Sequence, residues 1–264
     1  MFHDHLERWK LTPDGEPVIT NTSGLLPVRC GDVAAMLKIA LIDEEKRGGQ
    51  LMSWWNGNGA APVLACDENA ILMERAEGGV SLADLARHDG DDAASRIICA
   101  VLARLHAPNG PAPPTLVPLA AWFQALGPAA AARGGILRLA AATASDLLAT
   151  PRDVVALHGD MHHENVLRFG ARGWLAIDPK GLIGERCFDY ANILCNPDQA
   201  TATKPGRLAR QVAVLTDAAR LERRRLLAWI VAWSGLSAAF SLDDGLPAGD
   251  ALRIAELAAA ELNR

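Results

Sequence analysis

Residues 158–165 read His158-Gly159-Asp160-Met161-His162-His163-Glu164-Asn165, and Asp178 closes the short apolar run Gly173-Trp174-Leu175-Ala176-Ile177 just before Pro179. No other feature constrains the fold as much. An apolar run of that length bounded by Gly and Pro reads as a strand, and a loop dense in Gly, His, Asp and Asn does not continue a helix. The carboxylate of Asp160, the amide of Asn165 and the carboxylate of Asp178 meet at one point only if the chain doubles back between them. The stretch from Val154 to Asp178 is therefore expected to be short strands and tight loops, held by whatever surrounds it.

The surroundings divide in two. Up to residue 76, short runs at 17–20, 26–29, 34–39, 62–66 and 70–75 are bounded by Gly, Asn and Asp and read as strands. One helix is expected among them, over 43–55, ended by Asn56-Gly57-Asn58-Gly59. Glu77-Gly78-Gly79 then breaks the pattern, and helical periodicity takes over at 81–88, 91–106, 118–131, 135–149, 207–218, 222–240 and 248–262. The fold class this predicts is α+β, a bilobal protein-kinase-like fold. Residues 1–76 form a small antiparallel-sheet lobe that binds nucleotide, and residues 77–264 a mostly helical lobe with the catalytic loop and acceptor site.

Half of the 264 residues are apolar and 22% are charged, the balance of a globular chain, with a net charge of -5 that argues against a nucleic-acid binder and mildly favours cationic ligands. The five cysteines (Cys30, Cys66, Cys99, Cys187, Cys195) are scattered and form no C-x-x-C pair, as reduced thiols do. The N-terminus carries Asp4, Glu7, Arg8 and Lys10 and no apolar h-region, and the Ala-rich stretch 119–149 is too interrupted to span a bilayer. A cytoplasmic monomer without membrane or nucleic-acid partners is expected.

The chemistry that needs this loop is phosphoryl transfer. A hydroxyl is a poor nucleophile, and Asp160 can orient it and accept its proton. Asn165 and Asp178 offer the hard oxygens that hold Mg2+ against nucleotide phosphates. His158 is expected to anchor the loop, with His162, His163 and Glu164 facing the acceptor. The histidines match neither H-E-x-x-H nor H-x-H-x-D-H, and no cysteine lies near, so zinc is the weaker reading. In the first lobe, Lys38 sits inside the apolar run Ala35 to Ala40, where a cation needs anionic partners. The phosphates and Glu45 would serve, with Glu44 as the alternative. The turn Asn21-Thr22-Ser23-Gly24 either covers the phosphates or is a solvated hairpin turn. The carbonyl of Glu74 and the N–H of Ala76 either meet an adenine edge or end a buried strand.

Leu157 to Leu167, Arg172 to Gly181 (R-G-W-L-A-I-D-P-K-G), Gly184 to Ile193 (G-E-R-C-F-D-Y-A-N-I), Trp54-Trp55-Asn56-Gly57 and Ser234 to Ala239 resemble the aminoglycoside phosphotransferase superfamily. Within it the likeness is to streptomycin 6-kinases, the aminoglycoside/hydroxyurea resistance kinases, and it runs over nearly the whole chain. The resemblance implies transfer from ATP to the streptidine 6-hydroxyl of streptomycin, or to another small hydroxyl substrate such as hydroxyurea, a sugar or an amino alcohol. It also supports the roles of Lys38, Asp160, Asn165 and Asp178, and implies that Asp189 steadies the catalytic loop from a following helix. The short turn at 21–24 and the region 196–220 depart from the family pattern.

Only ten residues separate Asp178 from Asp189, too few for a long activation segment, and Gly159 stands where protein kinases carry an arginine. Both point to a small substrate. A guanidinium-bearing one needs carboxylates near Asp160, with Glu164, Asp198, Asp243 and Asp244 as candidates. Trp233, on an apolar helix, reads as core.

Overall fold

A computed structural model describes residues 1–110 and 112–264. The chain begins with α1 (His3–Arg8), β1 (Thr12–Pro13), β2 (Val18–Ile19), β3 (Ser23–Cys30), β4 (Val33–Ala40), α2 (Asp43–Trp55), β5 (Val63–Cys66) and β6 (Ala70–Glu74). Their sheet is antiparallel, in the order β1-β3-β4-β6-β5 with β2 also on β3. The side-chain period of two sorts β4 onto two faces. Ala35, Leu37 and Ile39 pack with Leu26, Val28 and Leu72 against α1. Met36 and Lys38 point the other way, paired in register with Met73 and Ile71. Neither α1 nor β1 announces itself in sequence: α1 buries no residue fully and β1 has two residues.

The second lobe adds α3 (Leu82–Arg87), α4 (Asp91–Leu105), β7 (Val117–Pro118), α5 (Leu119–Trp122), α6 (Leu126–Arg133), α7 (Gly135–Ala149), β8 (Val154–Leu157), β9 (Val166–Arg168), β10 (Trp174–Ala176), β11 (Leu182–Glu185), α8 (Phe188–Ala191), α9 (Gln199–Ala202), α10 (Arg207–Ala219), α11 (Arg223–Asp243) and α12 (Gly249–Leu262). The single helix expected over 118–131 is instead α5, a 3-10 turn at Phe123–Ala125, and α6. Pro128 explains the division, because a proline is tolerated in the first turn of a helix and not in its middle. β9 and β10 form the hairpin expected around Asn165 and Asp178. A second small sheet, β7-β11-β8, was not expected.

Helix α11 is the one described helix long and apolar enough to cross a bilayer. Here it is the axis of the helical lobe, with Leu226, Leu227, Trp229, Ile230, Val231 and Ala232 fully buried. Trp229 meets Phe188 edge-on at 5.6 Å and Phe123 at 6.1 Å between ring centroids, so its indole seats α11 on α8 and the turn before α6.

A buried charge fixes the register of that seat. Glu185, 3% exposed, accepts from Arg225 Nε at 2.9 Å, Trp229 Nε1 at 2.9 Å and the Arg152 amide at 3.0 Å. Removing one partner of a buried pair strands the other charge, which costs about 3–5 kcal/mol. Glu185→Ala is therefore expected to lower unfolding free energy by about that amount, measured by guanidinium chloride denaturation.

Candidate active site

The loop after β8 is held from beneath by Asp189 on α8. Its carboxylate, 1% exposed at residue level, accepts from the amides of His158 (2.9 Å) and Gly159 (2.8 Å) and from His106 Nε2 (2.8 Å). His158 is the second fastening. Its Nε2 donates to the Ile177 carbonyl at 2.8 Å, and its Nδ1 accepts from the Asp160 amide at 3.3 Å. Burial holds the His158 pKa below its usual range, against the pull of Asp189 and Asp160, so the ring stays neutral. The Ile177 amide donates to the Asn165 carbonyl (3.0 Å) and the Lys180 amide to the His158 carbonyl (2.7 Å), so loop, hairpin and the segment after it lock together.

Asp160 is oriented by two amides. Asn192 Nδ2 donates to its Oδ1 at 2.9 Å, and Asn165 Nδ2 lies 3.5 Å from its Oδ2. Asn165 Nδ2 also donates to the Asp160 carbonyl at 2.8 Å, which commits its nitrogen and leaves its oxygen as the free end. Asp178 adopts a left-handed φ of +63°, a conformation costing on the order of 1–3 kcal/mol outside glycine. Burial would raise its pKa, but Lys38 and Lys180 outweigh burial and hold it below the usual carboxylate range.

Lys38 spans the cleft, its ammonium paired with both Glu45 and Asp178. Glu45 is thus the partner, while Glu44 lies 3.5 Å from a second cation, Lys180. Lys180 is also 3.9 Å from Asp178 and 4.0 Å from Glu45. Burial alone would release its proton, but the carboxylates of Asp178, Asp160, Glu45 and Glu44 outweigh it and raise its pKa. Helix α2 delivers both glutamates because Gly48 lets it touch the next segment: a Cβ there would sit 2.2 Å from the Pro179 carbonyl oxygen.

The remaining first-lobe candidates are placed as follows. Ser23 pairs in register with Ala40, on the same sheet face as Lys38. Its amide and that of Thr22 already donate to Thr20 Oγ1, at 3.0 and 3.2 Å, so those N–H groups are spent within the turn. Glu74 meets Arg172 of the hairpin in a two-pronged pair at 3.0 Å each, tying the strand end to the second lobe. Ala76 joins Met36, Val63, Leu167 and Ile177 as partly buried members of an apolar cluster built on Ile71, Met73, Phe169 and Leu175. This cluster is drawn from both lobes.

A cavity of about 530 Å³ opens beside Asp160, lined among others by His162, Lys180, Trp122, Trp233, Phe240 and Asp250. His162 faces it, but His163 does not. His163 is 1% exposed and neither ring nitrogen has a partner; burial pushes its pKa down to about 3. His162 is the extended residue that caps the 3-10 turn His163–Asn165, and the chain direction changes between the two rings. Glu164 is exposed and outside the cavity lining, Asp198 is engaged with Arg87 at 2.8 Å and caps α9, and Asp243 and Asp244 are exposed at the end of α11. Besides Asp160, the acidic residue in the cavity wall is Asp250, at the start of α12, and Trp233 both packs against the helical core and lines the cavity. Sequence reasoning missed Asn192, Lys180, His106 and Asp250. Asn192 carried a signal: it lies three residues from Asp189, one helical turn on.

Because His163 buries two unpartnered nitrogens, His163→Leu is expected to be neutral or stabilising by about 1–3 kcal/mol, with activity kept. Its folded pKa lies below the unfolded value of about 6.5, so unfolded chain binds more protons and the wild type loses stability as pH falls through 6.5 toward 3. Thermal unfolding at pH 7 and pH 5 should show a smaller acid loss in the variant.

The sequence model of the aminoglycoside/hydroxyurea antibiotic resistance kinases matches residues 8–245. A streptomycin 3''-kinase of Klebsiella pneumoniae is 53% identical over 245 residues, covering 91% of this chain and 92% of its own. A streptomycin 6-kinase of Streptomyces griseus is 32% identical over 262 residues, covering 92% of this chain and 82% of its own. Among solved structures, an aminoglycoside phosphotransferase in ternary complex with ADP and hygromycin B superposes with a TM-score of 0.65 over 99% of this chain and 97% of its own, at 15% identity. That structural likeness establishes the kinase-like fold, and the sequence matches establish the lineage: the chain belongs to the aminoglycoside/hydroxyurea antibiotic resistance kinases.

Proposed function

We propose that the chain transfers the γ-phosphate of ATP to the 3''-hydroxyl of streptomycin. The observation that carries the chemistry is the meeting of Asp160, Asn165, Asp178 and Lys38 beside a cavity of about 530 Å³. The acceptor hydroxyl lies against Asp160, which Asn192 orients and which takes the proton as the bond to phosphorus forms. Lys38, steered by Glu45, holds the nucleotide phosphates, and the apolar cluster around Met36, Met73 and Ile177 suits a flat base. Asp250 and the aromatic wall of Trp122, Trp233 and Phe240 suit a cationic acceptor.

The residues present fit a divalent cation. Two lysines face four carboxylates here (Glu44, Glu45, Asp160, Asp178), so acidic charge is in excess, and the oxygens on offer are Asn165 Oδ1 and the Asp178 carboxylate that the lysines now hold. Mg2+, bound by those two residues and by phosphate oxygens, would neutralise charge on the phosphates.

The position on streptomycin rests on relatedness. The relative at 53% identity is named a streptomycin 3''-kinase, and the 6-kinases lie near 32%. The 6-hydroxyl, which the sequence resemblance favours, is therefore the second reading.

Incubation with MgATP and streptomycin, followed by phosphorus and proton NMR of the product, is expected to place one phosphate at the 3''-oxygen. Asp160→Asn is expected to lower kcat by about 10²–10⁴-fold. A product phosphorylated at the 6-position would replace the first reading by the second, and absence of streptomycin-dependent ATP consumption would reject both.

A further inference from the structure

Lys180 stands between the two parts of the site. Its ammonium is within ion-pair distance of Glu44 (3.5 Å), Asp178 (3.9 Å) and Glu45 (4.0 Å), so it belongs to the phosphate side of the site. Yet it also lines the acceptor cavity with Gly159, Asp160 and His162. Among the described lining residues it is the single lysine or arginine. In a cavity that receives a cationic acceptor, a fixed positive charge opposes ground-state binding. Three carboxylates offset that charge, and its place between them and the cavity suits it to a phosphate of the other substrate.

The backbone around it is arranged for that placement. The Lys180 amide donates to the His158 carbonyl at 2.7 Å, which fixes its Cα to the catalytic loop. A Cβ on Gly159 would lie 3.0 Å from the Lys180 Cβ and 2.9 Å from Leu182 Cδ1, so a side chain at 159 would displace it. Gly181, at a φ of +68°, packs against Arg47 of α2 where a Cβ would approach the Arg47 Cβ to 2.7 Å. Lys38 does different work: paired with Glu45 and Asp178, it is not among the residues that line the acceptor cavity.

We infer that Lys180 is a catalytic residue that contacts the transferring phosphoryl group. This rests on the ATP-dependent transfer proposed above. As the acceptor oxygen bonds to phosphorus, the bond from phosphorus to the β,γ-bridging oxygen breaks and its electron pair leaves with ADP. The acceptor proton passes to Asp160. Lys180 keeps its own protons and donates to the equatorial oxygens throughout, released from Glu44 when the phosphate arrives. Its contribution is the preorganised charge that phosphoryl transfer demands.

The test is steady-state kinetics of Lys180→Gln, Lys180→Met and Lys180→Arg with MgATP and streptomycin, beside calorimetric titration with MgADP. Lys180→Met keeps the aliphatic stem, so packing against Gly159 survives in at least that variant. The Gln and Met variants should lose kcat by on the order of 10²–10³-fold. KM for streptomycin should stay level or fall, MgADP affinity and thermal midpoint should stay near wild type, and Lys180→Arg should recover part of kcat. A kcat within about threefold of wild type in a folded Gln or Met variant overturns the inference, and so does a loss that tracks MgADP affinity or thermal midpoint. Failure of the wild type to consume ATP with streptomycin would instead strike the proposed function.

Discussion

The ion pair that Lys38 makes with Glu45 and Asp178 is the interaction on which the rest of the site depends. Lys38 comes from β4, Glu45 from α2, and Asp178 from the end of the second-lobe hairpin, so one ammonium fastens three elements and both lobes. The Glu45 side chain is 4% exposed and that of Lys38 11%, which places the pair where water screens it weakly and where an unmatched member is costly. The left-handed backbone at Asp178 belongs to the same design: strain there is tolerated because both ends of the segment are bonded.

Beneath this pair lies a second fastening, made of hydrogen bonds around Asp189. Asp189 accepts two successive loop amides, and His158 joins the loop to the Ile177 carbonyl one residue before Asp178. Asp160 and Asp178 are therefore held by one connected network, within which Asn165 touches both Asp160 and the hairpin. Rigidity of this kind makes a short link between Asp178 and Asp189 sufficient. No ordering of a long segment is needed to bring the groups together.

Much of this was legible in the sequence, for identifiable reasons. Lys38 stood out because a cation in an apolar strand must have partners, and the loop motif stood out because its residue types have few other uses in that spacing. The alternation along β3 and β4 follows from the strand period, as does the helical second lobe from its own. What stayed hidden depends on contacts distant in sequence. β7 and β11 have two and four residues and gain their identity from pairing across more than sixty positions. His162 and His163 are equal in sequence, and packing of the 3-10 turn His163–Asn165 against α3 accompanies burial of the second. Among several acidic residues near the C-terminus, the bend between α11 and α12 selects Asp250 for the cavity wall and leaves Asp243 and Asp244 to solvent. Lys180 was overlooked because a lysine after Asp-Pro reads as a turn residue until its four carboxylate neighbours are seen.

Calorimetric titration of MgADP into the wild type and Lys38→Met, each checked for native circular dichroism, tests the central claim most directly. If Lys38 is the cation that joins the lobes around the nucleotide phosphates, the variant binds at least about tenfold more weakly, a loss of about 1.4 kcal/mol. Equal affinity in a folded variant would contradict it.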